Sequence, residues 1–286
     1  MHKDSKKSGK LQLFILFITF VLLEILFSFT MKERLVFVTN DDSYTAKGFA
    51  AAIEIAKKFG KVIAIAPDTV QSGKSQAITI YDSLRLKTIS QSEDVTIYSL
   101  NGTPVDCVKF ALDFFLKDKK IDLTISGINH GTNSATNVLY SGTMGAAIES
   151  AFYGIPSVGL SNLNDAADAD FSTCIEWGTK IIETILAENV PQPVCLNVNI
   201  PALQSDQIKG IKVCRQTKGF WLDTFHERID PYGRKYYWIT GGFSNHEPEA
   251  QDTDEWALRN GYIAVVPVQV DLTAYDKMQS LAKVLE

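Results

Sequence analysis

Short apolar runs along the chain alternate with segments whose apolar residues recur every three or four positions. The first run, residues 35–39, leads directly into Asn40-Asp41-Asp42, and a second run covers residues 61–66. Between them, residues 47–59 have the spacing of an amphipathic helix. Continuous apolar runs are typical of strands that are buried on both faces of a sheet. The strand, helix and strand therefore predict a βαβ unit, and hence a parallel sheet.

The same pattern continues for most of the chain. It predicts further strands over residues 77–86, 95–100, 121–126, 155–161 and 194–200, a turn over 88–94, and helices from Thr103, over 141–153 and over 171–186. The last third changes character, because strand-like stretches over 211–214, 235–240 and 263–270 are separated by turns rather than helices, with a closing helix over 278–285. We therefore predict an α/β fold, a doubly wound and mostly parallel sheet that carries a C-terminal β-hairpin extension.

The first thirty residues stand outside this pattern. Residues 11–30 are almost wholly apolar and follow a basic segment, so their length approaches that of a membrane span. Three interpretations stay open: an anchor, a signal peptide without an A-x-A cleavage site, or untranslated sequence before a start at Met31. We place the folded domain at residues 31–286, with 205–250 as the hairpin extension. We expect a cytoplasmic protein, or a membrane-anchored one if residues 11–30 are an anchor.

Composition narrows the range of functions. The net charge of −5 and the absence of a basic stripe argue against binding to a nucleic-acid polymer. None of the four cysteines lies in a CxxC pair, which argues against a zinc knuckle or a redox motif. The apolar neighbours of Cys107 and Cys195 predict small buried side chains.

Polar loops follow three of the predicted parallel strands, at residues 40–42, 68–75 and 127–133. Such loops meet at the carboxyl edge of a doubly wound sheet, where ligands bind. Their carboxylate, hydroxyl and amide oxygens suit a hard cation such as Mg²⁺ or Mn²⁺, which would also relieve the repulsion between Asp41 and Asp42. The alternative is that one aspartate caps the following helix while the other is solvated.

A helix start supplies the second half of the predicted chemistry. Ser141-Gly142-Thr143 opens the helix predicted over residues 141–153, so it offers free N–H groups and a positive dipole end to an anion. An acidic pair, a cation and an anion site at a helix start together indicate a phosphate ester as ligand.

Five stretches, in order, carry a resemblance to a known family: TNDDS at residues 39–43, APD and SGKS within 66–75, NGTPVDCV at 101–108, SGINHGTN at 126–133 and YSGTMGAAIE at 140–149. They resemble the SurE family of metal-dependent 5′- and 3′-nucleotidases, also called stationary-phase survival proteins. Residues 253–273 are similar to the C-terminal segment of that family. The resemblance covers nearly all of residues 31–286.

The resemblance implies a Rossmann-like domain whose hairpin serves assembly into a homodimer or homotetramer. It implies hydrolysis of nucleoside monophosphates, with one divalent ion, Mg²⁺ or Mn²⁺, held by the acidic pair, a serine and an asparagine. Carried over by position, the metal ligands are Asp41, Asp42, Ser72 and Asn129. We expect Asp41 or Asp42 to act in catalysis, and the substrate to contact Asn40, Gly73, Asn133, Ser141, Gly142 and Thr143.

Two departures from the family pattern are visible. Ser43 stands where the family commonly has glycine, and Thr69-Val70-Gln71 replaces a more basic loop. Neither change touches a proposed metal ligand, although the second bears on substrate preference.

Other assignments were weighed for the whole chain and for single residues. A phosphoryl-receiver domain also carries an acidic pair after its first strand, but its acceptor aspartate and lysine are not evident here. A non-catalytic nucleotide-binding module is the other alternative.

We expect Thr103 and Asp106 to cap their helix, and His130 to be a loop or substrate-contact residue rather than a general acid.

Overall fold

The computed structural model describes residues 34–166, 168–187 and 194–285. The chain divides into two units, Met1–Arg34 and Leu35–Glu286, and only Arg34 of the first is described. The predictions for residues 1–30 therefore lie outside the described residues, and the domain start at Met31 stays a prediction. Among the described residues, no helix has the length and apolar character needed to cross a bilayer.

The first elements are the predicted βαβ unit. Strand β1 (Leu35–Thr39) and strand β2 (Lys61–Pro67) pair in parallel, and helix α1 (Lys47–Ala56) connects them. Alternate residues of β1 enter different cores, because Val36 and Val38 pack against α1 while Phe37 packs on the other face of the sheet. This double burial explains why the run has no polar alternation.

One large sheet organises the described unit. Besides β1 and β2 it contains β3 (Leu86–Gln91), β4 (Val95–Leu100), β5 (Leu123–His130), β6 (Ser157–Asn162), β7 (Cys195–Ile200), β8 (Ile211–Val213) and β11 (Ile263–Val268). The strand order is β3-β4-β2-β1-β5-β6-β7-β11-β8. Pairing is parallel except between β3 and β4 and between β11 and β7. The predicted doubly wound α/β sheet is therefore confirmed.

Helices cover both faces of this sheet. The described helices after α1 are α2 (Pro104–Lys109), α3 (Gly142–Phe152), α4 (Ser172–Ala187), α5 (Asp254–Arg259) and α6 (Tyr275–Leu285). Helices α1 and α4 share one hydrophobic core, and α2 contributes to the core on the opposite face. All four cysteines are buried and free, as predicted for Cys107 and Cys195.

Four local predictions were wrong. Residues 77–85 form a loop rather than a strand, and the predicted turn at 88–94 contains most of the exposed edge strand β3. Strand β5 continues past Ser126 to His130, after a register shift against β6. Strands β8 and β11 extend the main sheet instead of belonging to an appendage.

The hairpin itself is present. Strands β9 (Gly219–Ile229) and β10 (Lys235–Asn245) form a separate two-stranded antiparallel sheet, within the predicted range of 205–250. Nearly all its residues are exposed, including the large side chains of Phe225 and Trp238. The C-terminal extension of the predicted fold is thus confirmed as an arm with little core of its own.

Candidate active site

The three polar loops meet at one edge because β2, β1 and β5 are neighbours in the sheet. The loop after β2 bonds to the acidic pair through Gln71, whose N–H donates to the Asp41 carbonyl at 2.7 Å. The end of β5 does so through His130, whose N–H donates to Asp42 Oδ2 at 3.2 Å. The predicted convergence on Asp41 and Asp42 is therefore present in the fold.

The start of helix α3 packs directly on the acidic pair. The Thr143 hydroxyl donates to Asp41 Oδ1, and Thr143 is fully buried. A Cβ added to Gly142 would lie 2.8 Å from Asp41 Cβ and 3.1 Å from Asp41 Oδ2. Only glycine permits this approach, so the helix start and the carboxylate form one site.

The two carboxylates differ in their surroundings. Asp41 is almost completely buried, whereas Asp42 is partly exposed. Burial, together with the charge of Asp42, raises the pKa of Asp41 from 3.8 to about 6, against the opposing hydrogen bond from Thr143. A cation bound between the carboxylates would remove both penalties.

A tight turn holds the pair in place. The buried Asn40 donates from Nδ2 to the Ser43 carbonyl at 2.9 Å, while its Oδ1 has no hydrogen-bond partner among the described residues. Ser43 has a φ of 80°, a left-handed conformation that favours glycine. The Asn40 amide nitrogen is thus committed to the turn, and its buried oxygen is open to a ligand.

The remaining proposed metal ligands lie in the loop after β2 and at the end of β5. Ser72 is exposed and directly follows Gln71, the residue bonded to Asp41. Asn129 donates from Nδ2 to the Gly131 carbonyl at 2.8 Å, which leaves its Oδ1 facing no donor among the described residues. Their neutral oxygens could complete a shell begun by the carboxylates.

The donor set fits a hard cation better than zinc. Within the described ranges, no group of three or more His, Cys, Asp or Glu side chains assembles into a metal site. A site built on Asp41 and Asp42 would therefore draw its other ligands from hydroxyl, amide or water oxygens. Oxygen-only coordination of this kind is typical of Mg²⁺ and Mn²⁺.

Helix α3 offers its backbone rather than its side chains to an anion. Ser141 caps the helix, because its Oγ accepts the N–H of Met144 at 3.0 Å, and the Thr143 hydroxyl is taken by Asp41. The N–H of Gly142 has no hydrogen-bond partner in the described part of the chain, whereas the N–H of Thr143 is directed to the Asp41 carboxylate. The predicted anion site therefore rests on the Gly142 N–H and on the positive end of the helix dipole.

Asn133 has a clear structural role. It is buried, and its Nδ2 donates to Ser161 Oγ at 2.8 Å. Its N–H donates to Asn199 Oδ1 and its carbonyl accepts from Asn197 Nδ2, both at 2.8 Å. This network ties the loop after β5 to β6 and β7, so the substrate contact predicted for Asn133 stays a prediction.

Comparison with known proteins agrees with this geometry. The family model described as "Survival protein SurE" matches residues 36–223. The chain belongs to the SurE family.

Relatives within the SurE family cover nearly the whole described unit. The 5′-nucleotidase SurE of Flavobacterium psychrophilum is 48% identical over 252 residues, which is 88% of this chain and 97% of the relative. The protein of the same name from Flavobacterium johnsoniae is 50% identical over 251 residues, 87% of this chain and 96% of the relative. The crystal structure of the SurE protein from Aquifex aeolicus aligns with a TM-score of 0.75 at 36% identity, over 88% of this chain and all of that one.

Two residues of SurE-like motifs act structurally, as expected. Thr103 and Asp106 form a capping box at the start of α2. Asp106 also accepts the Thr79 N–H at 2.9 Å and the Thr79 hydroxyl at 2.6 Å, so its oxygens are occupied by the chain itself. The His130 ring packs edge to face on Phe171, with the ring centroids 4.9 Å apart.

Sequence reasoning missed two residues that shape this SurE-family site. Ser75 donates from N to the Tyr140 carbonyl at 3.0 Å and from Oγ to the Leu139 carbonyl at 2.7 Å. Buried Asp254 accepts the Ala135 N–H at 2.8 Å and the Thr217 N–H at 3.0 Å, which links the loop after β5 to the base of the hairpin. The only sequence signals were their places in the SGKS and TDEW stretches.

A cavity of about 680 Å³ borders the same helix start. Ser75, Ser141 and Gly145 line it on one side, and residues 266–273 line it on the other. The acidic pair does not line the cavity, because Asp41 contacts the Gly142 and Thr143 side of α3. Volumes of this order are typical of small-molecule pockets.

Proposed function

We propose that the chain is a metal-dependent 5′-nucleotidase, a phosphomonoesterase that releases phosphate from nucleoside 5′-monophosphates and also from 3′-monophosphates. The observation that carries the proposal is the packing of the α3 start on Asp41, through Gly142 and Thr143. It puts an anion-binding N–H group beside carboxylates that need a cation. The 5′-nucleotidase activity named for the SurE relatives supports the same assignment.

The cofactor proposed is one divalent ion, Mg²⁺ or Mn²⁺, held by Asp41, Asp42, Ser72 and Asn129. When bound, such an ion polarises a phosphoryl group and lowers the pKa of water. The N–H of Gly142, at the positive end of the helix dipole, would hold an oxygen that is not transferred.

The two carboxylates take different parts in this proposal. Asp42 is the partly exposed carboxylate, so it is better placed than buried Asp41 to accept a proton from attacking water. Asp41 is fixed by Thr143 and serves chiefly as a ligand. Asn40, Gly73, Asn133 and Ser141 complete the proposed substrate surroundings.

Assembly into a homodimer or homotetramer is also proposed. Support comes from the large apolar side chains that the hairpin exposes on β9 and β10. Clusters of exposed large apolar side chains are typical of protein interfaces.

Phosphate release from a panel of nucleoside 5′- and 3′-monophosphates, with Mg²⁺, Mn²⁺ or chelator, tests the function. We expect repeated turnover with metal, none with chelator, and a loss of at least about a hundredfold in Asp41→Asn/Asp42→Asn. The matched control is Glu93→Gln/Asp94→Asn, an adjacent acidic pair exposed in the β3–β4 turn, which should keep full activity.

Other outcomes distinguish the alternatives. A receiver domain would retain phosphate covalently, and a binding module would release the nucleotide intact. Unchanged metal-dependent turnover in the folded Asp41→Asn/Asp42→Asn variant would contradict the proposed site.

A further inference from the structure

The loop that carries Ser72 is attached to the site at both ends. Gln71 bonds to the Asp41 carbonyl at 2.7 Å, and Ser75 bonds to the Tyr140 carbonyl at 3.0 Å. The hydrogen bond from Thr143 to Asp41 then closes a ring of three segments. We call residues 40–43, 71–75 and 140–143 the site ring.

The middle of the loop faces open space. Ser72, Gly73 and Lys74 are exposed, and a Cβ added to Gly73, at a φ of +74°, would meet nothing within 4 Å. Elsewhere the ring is packed tightly, since a Cβ on Gly142 would meet Asp41 at 2.8 Å. The segment from Ser72 to Lys74 is therefore the side of the ring that a ligand can approach.

One more positive charge at the site ring would balance the negative charge of a bound phosphate ester. A phosphate monoester carries a charge of about −1.5 to −2 at neutral pH. A divalent ion would do little more than neutralise Asp41 and Asp42, so the incoming phosphoryl charge would be met only by the dipole of α3. Binding of a doubly charged ester is stronger where a fixed positive side chain can share that charge.

Lys74 is the only basic residue of the site ring. Its ammonium group forms no ion pair or hydrogen bond with any described residue. Lys109 and Arg215, in contrast, are committed to acidic partners, since Lys109 pairs with Glu149 at 3.3 Å and Arg215 pairs with both Glu247 and Asp252. A flexible ammonium on this loop suits contact with phosphoryl oxygens.

We propose that Lys74 binds the phosphoryl group of the substrate and selects doubly charged phosphate monoesters over singly charged diesters. This rests on the proposed nucleotidase function, and it assigns a substrate contact to a residue outside the proposed metal ligands.

Steady-state kinetics of Lys74→Ala and Lys74→Arg test the assignment. The probes are a nucleoside 5′-monophosphate, p-nitrophenyl phosphate, bis(p-nitrophenyl) phosphate, and inorganic phosphate as inhibitor. In Lys74→Ala we expect KM for both monoesters, and the inhibition constant for phosphate, to rise about tenfold or more, with a smaller change in kcat. Lys74→Arg should restore most of the affinity, and the preference for monoester over diester should fall only in the alanine variant.

Lys87→Ala is the matched control, because Lys87 is exposed on edge strand β3 and its loss changes the net charge equally. Its kinetics should equal those of the wild type. Affinity for Mn²⁺ without substrate, measured by calorimetry, should not weaken in Lys74→Ala, which separates phosphoryl binding from damage to the metal site.

The outcomes separate this proposal from the nucleotidase function. An active wild type with unchanged KM in Lys74→Ala overturns the role of Lys74 alone. A KM change confined to the nucleotide overturns it too, because the contact would then be to the nucleoside. A wild type that releases no phosphate from any monoester instead overturns the proposed function.

Discussion

At the scale of single residues, the sequence suggests which side chains would act as metal ligands, but it does not reveal the hydrogen bonds that hold them. Asp41, Asp42, Ser72 and Asn129 follow from their places after buried strands and from the SurE resemblance. The bond from Thr143 to Asp41 depends on a close approach at Gly142, which no periodicity reveals. The same holds for Asn133, whose amide is committed to a tertiary network.

Asp41 should destabilise the metal-free fold. Its pKa rises from 3.8 to about 6 on folding, so its charged form costs stability above pH 6, by about 3 kcal/mol from the size of the shift. In chelator at pH 8, Asp41→Asn should unfold at higher urea concentration than the wild type. This advantage should shrink as the pH falls through 6 and vanish below about 4.

At position 43 we expect a glycine variant to be more stable than an alanine variant, which is the reverse of the usual order. At ordinary positions alanine is more stable than glycine by about 0.4–1 kcal/mol. Because Ser43 has a φ of 80°, Ser43→Gly should be about 1 kcal/mol more stable than Ser43→Ala in urea unfolding. Both variants lose the hydroxyl contact with Thr45, so the comparison isolates the backbone. Ala50→Gly, in α1, should be less stable than the wild type, because alanine is the more stable residue at ordinary positions. Equal stabilities of Ser43→Gly and Ser43→Ala would contradict backbone strain at position 43.

At the scale of elements, the apolar pattern predicted those strands and helices that bury a face. Strands β1 and β2 and helices α1 and α3 were predicted within a few residues for this reason. Strands β3 and β9 expose nearly every residue, so no apolar period marks them. They are held by backbone pairing with β4 and β10, which a single sequence does not display. Strand β5 was predicted too short because Gly127 interrupts its apolar run.

The contact between α3 and the Ser72 loop should be essential for activity. A Cβ at Gly145 would lie 2.4 Å from the Ser75 carbonyl oxygen, so Gly145→Ala must displace that backbone. We expect kcat/KM to fall at least about tenfold, because small displacements of positioned groups are costly. The free energy of unfolding should drop by only about 0–2 kcal/mol, since overpacking is partly offset by better helix propensity.

Gly242→Ala is the control for this substitution. A Cβ there meets nothing within 4 Å and the residue lies in the exposed strand β10, so activity should be unchanged. Full activity in Gly145→Ala would show that the loop is not positioned by α3.

At the scale of the whole molecule, the described unit combines a closely packed sheet with an exposed arm. The fold class, a mostly parallel sheet covered by helices, was predicted from the sequence, but the order of the strands was not. The use of the arm rests on the SurE resemblance. Arg215 fixes the base of the arm, because it pairs with Glu247 at 2.5 Å and with Asp252 at 2.8 Å. The arm is thus held at its base while its apolar side chains remain uncovered.

The arm should mediate self-association. Phe225 and Trp238 are 66% and 63% exposed. In a monomeric protein, large apolar side chains that share one arm are seldom this exposed. Sedimentation velocity should give a dimer or tetramer for the wild type and a smaller species for Phe225→Ser/Trp238→Ser. Phe114→Ser, also exposed but outside the arm, should leave the assembly unchanged. A wild type that sediments as a monomer would exclude this role.

The central position of β1 also sets when the site can form during folding. Leu35 bonds to Asp122, Asp42 to His130 and Asp41 to Thr143, across separations of 87, 88 and 102 residues. Each contact closes a long loop, and the chain entropy lost on closing that loop opposes the contact. A nascent chain that ends before Thr143 therefore cannot complete the site. Recovery of metal-dependent activity during refolding should report the late, long-range steps of folding, after local helices have formed.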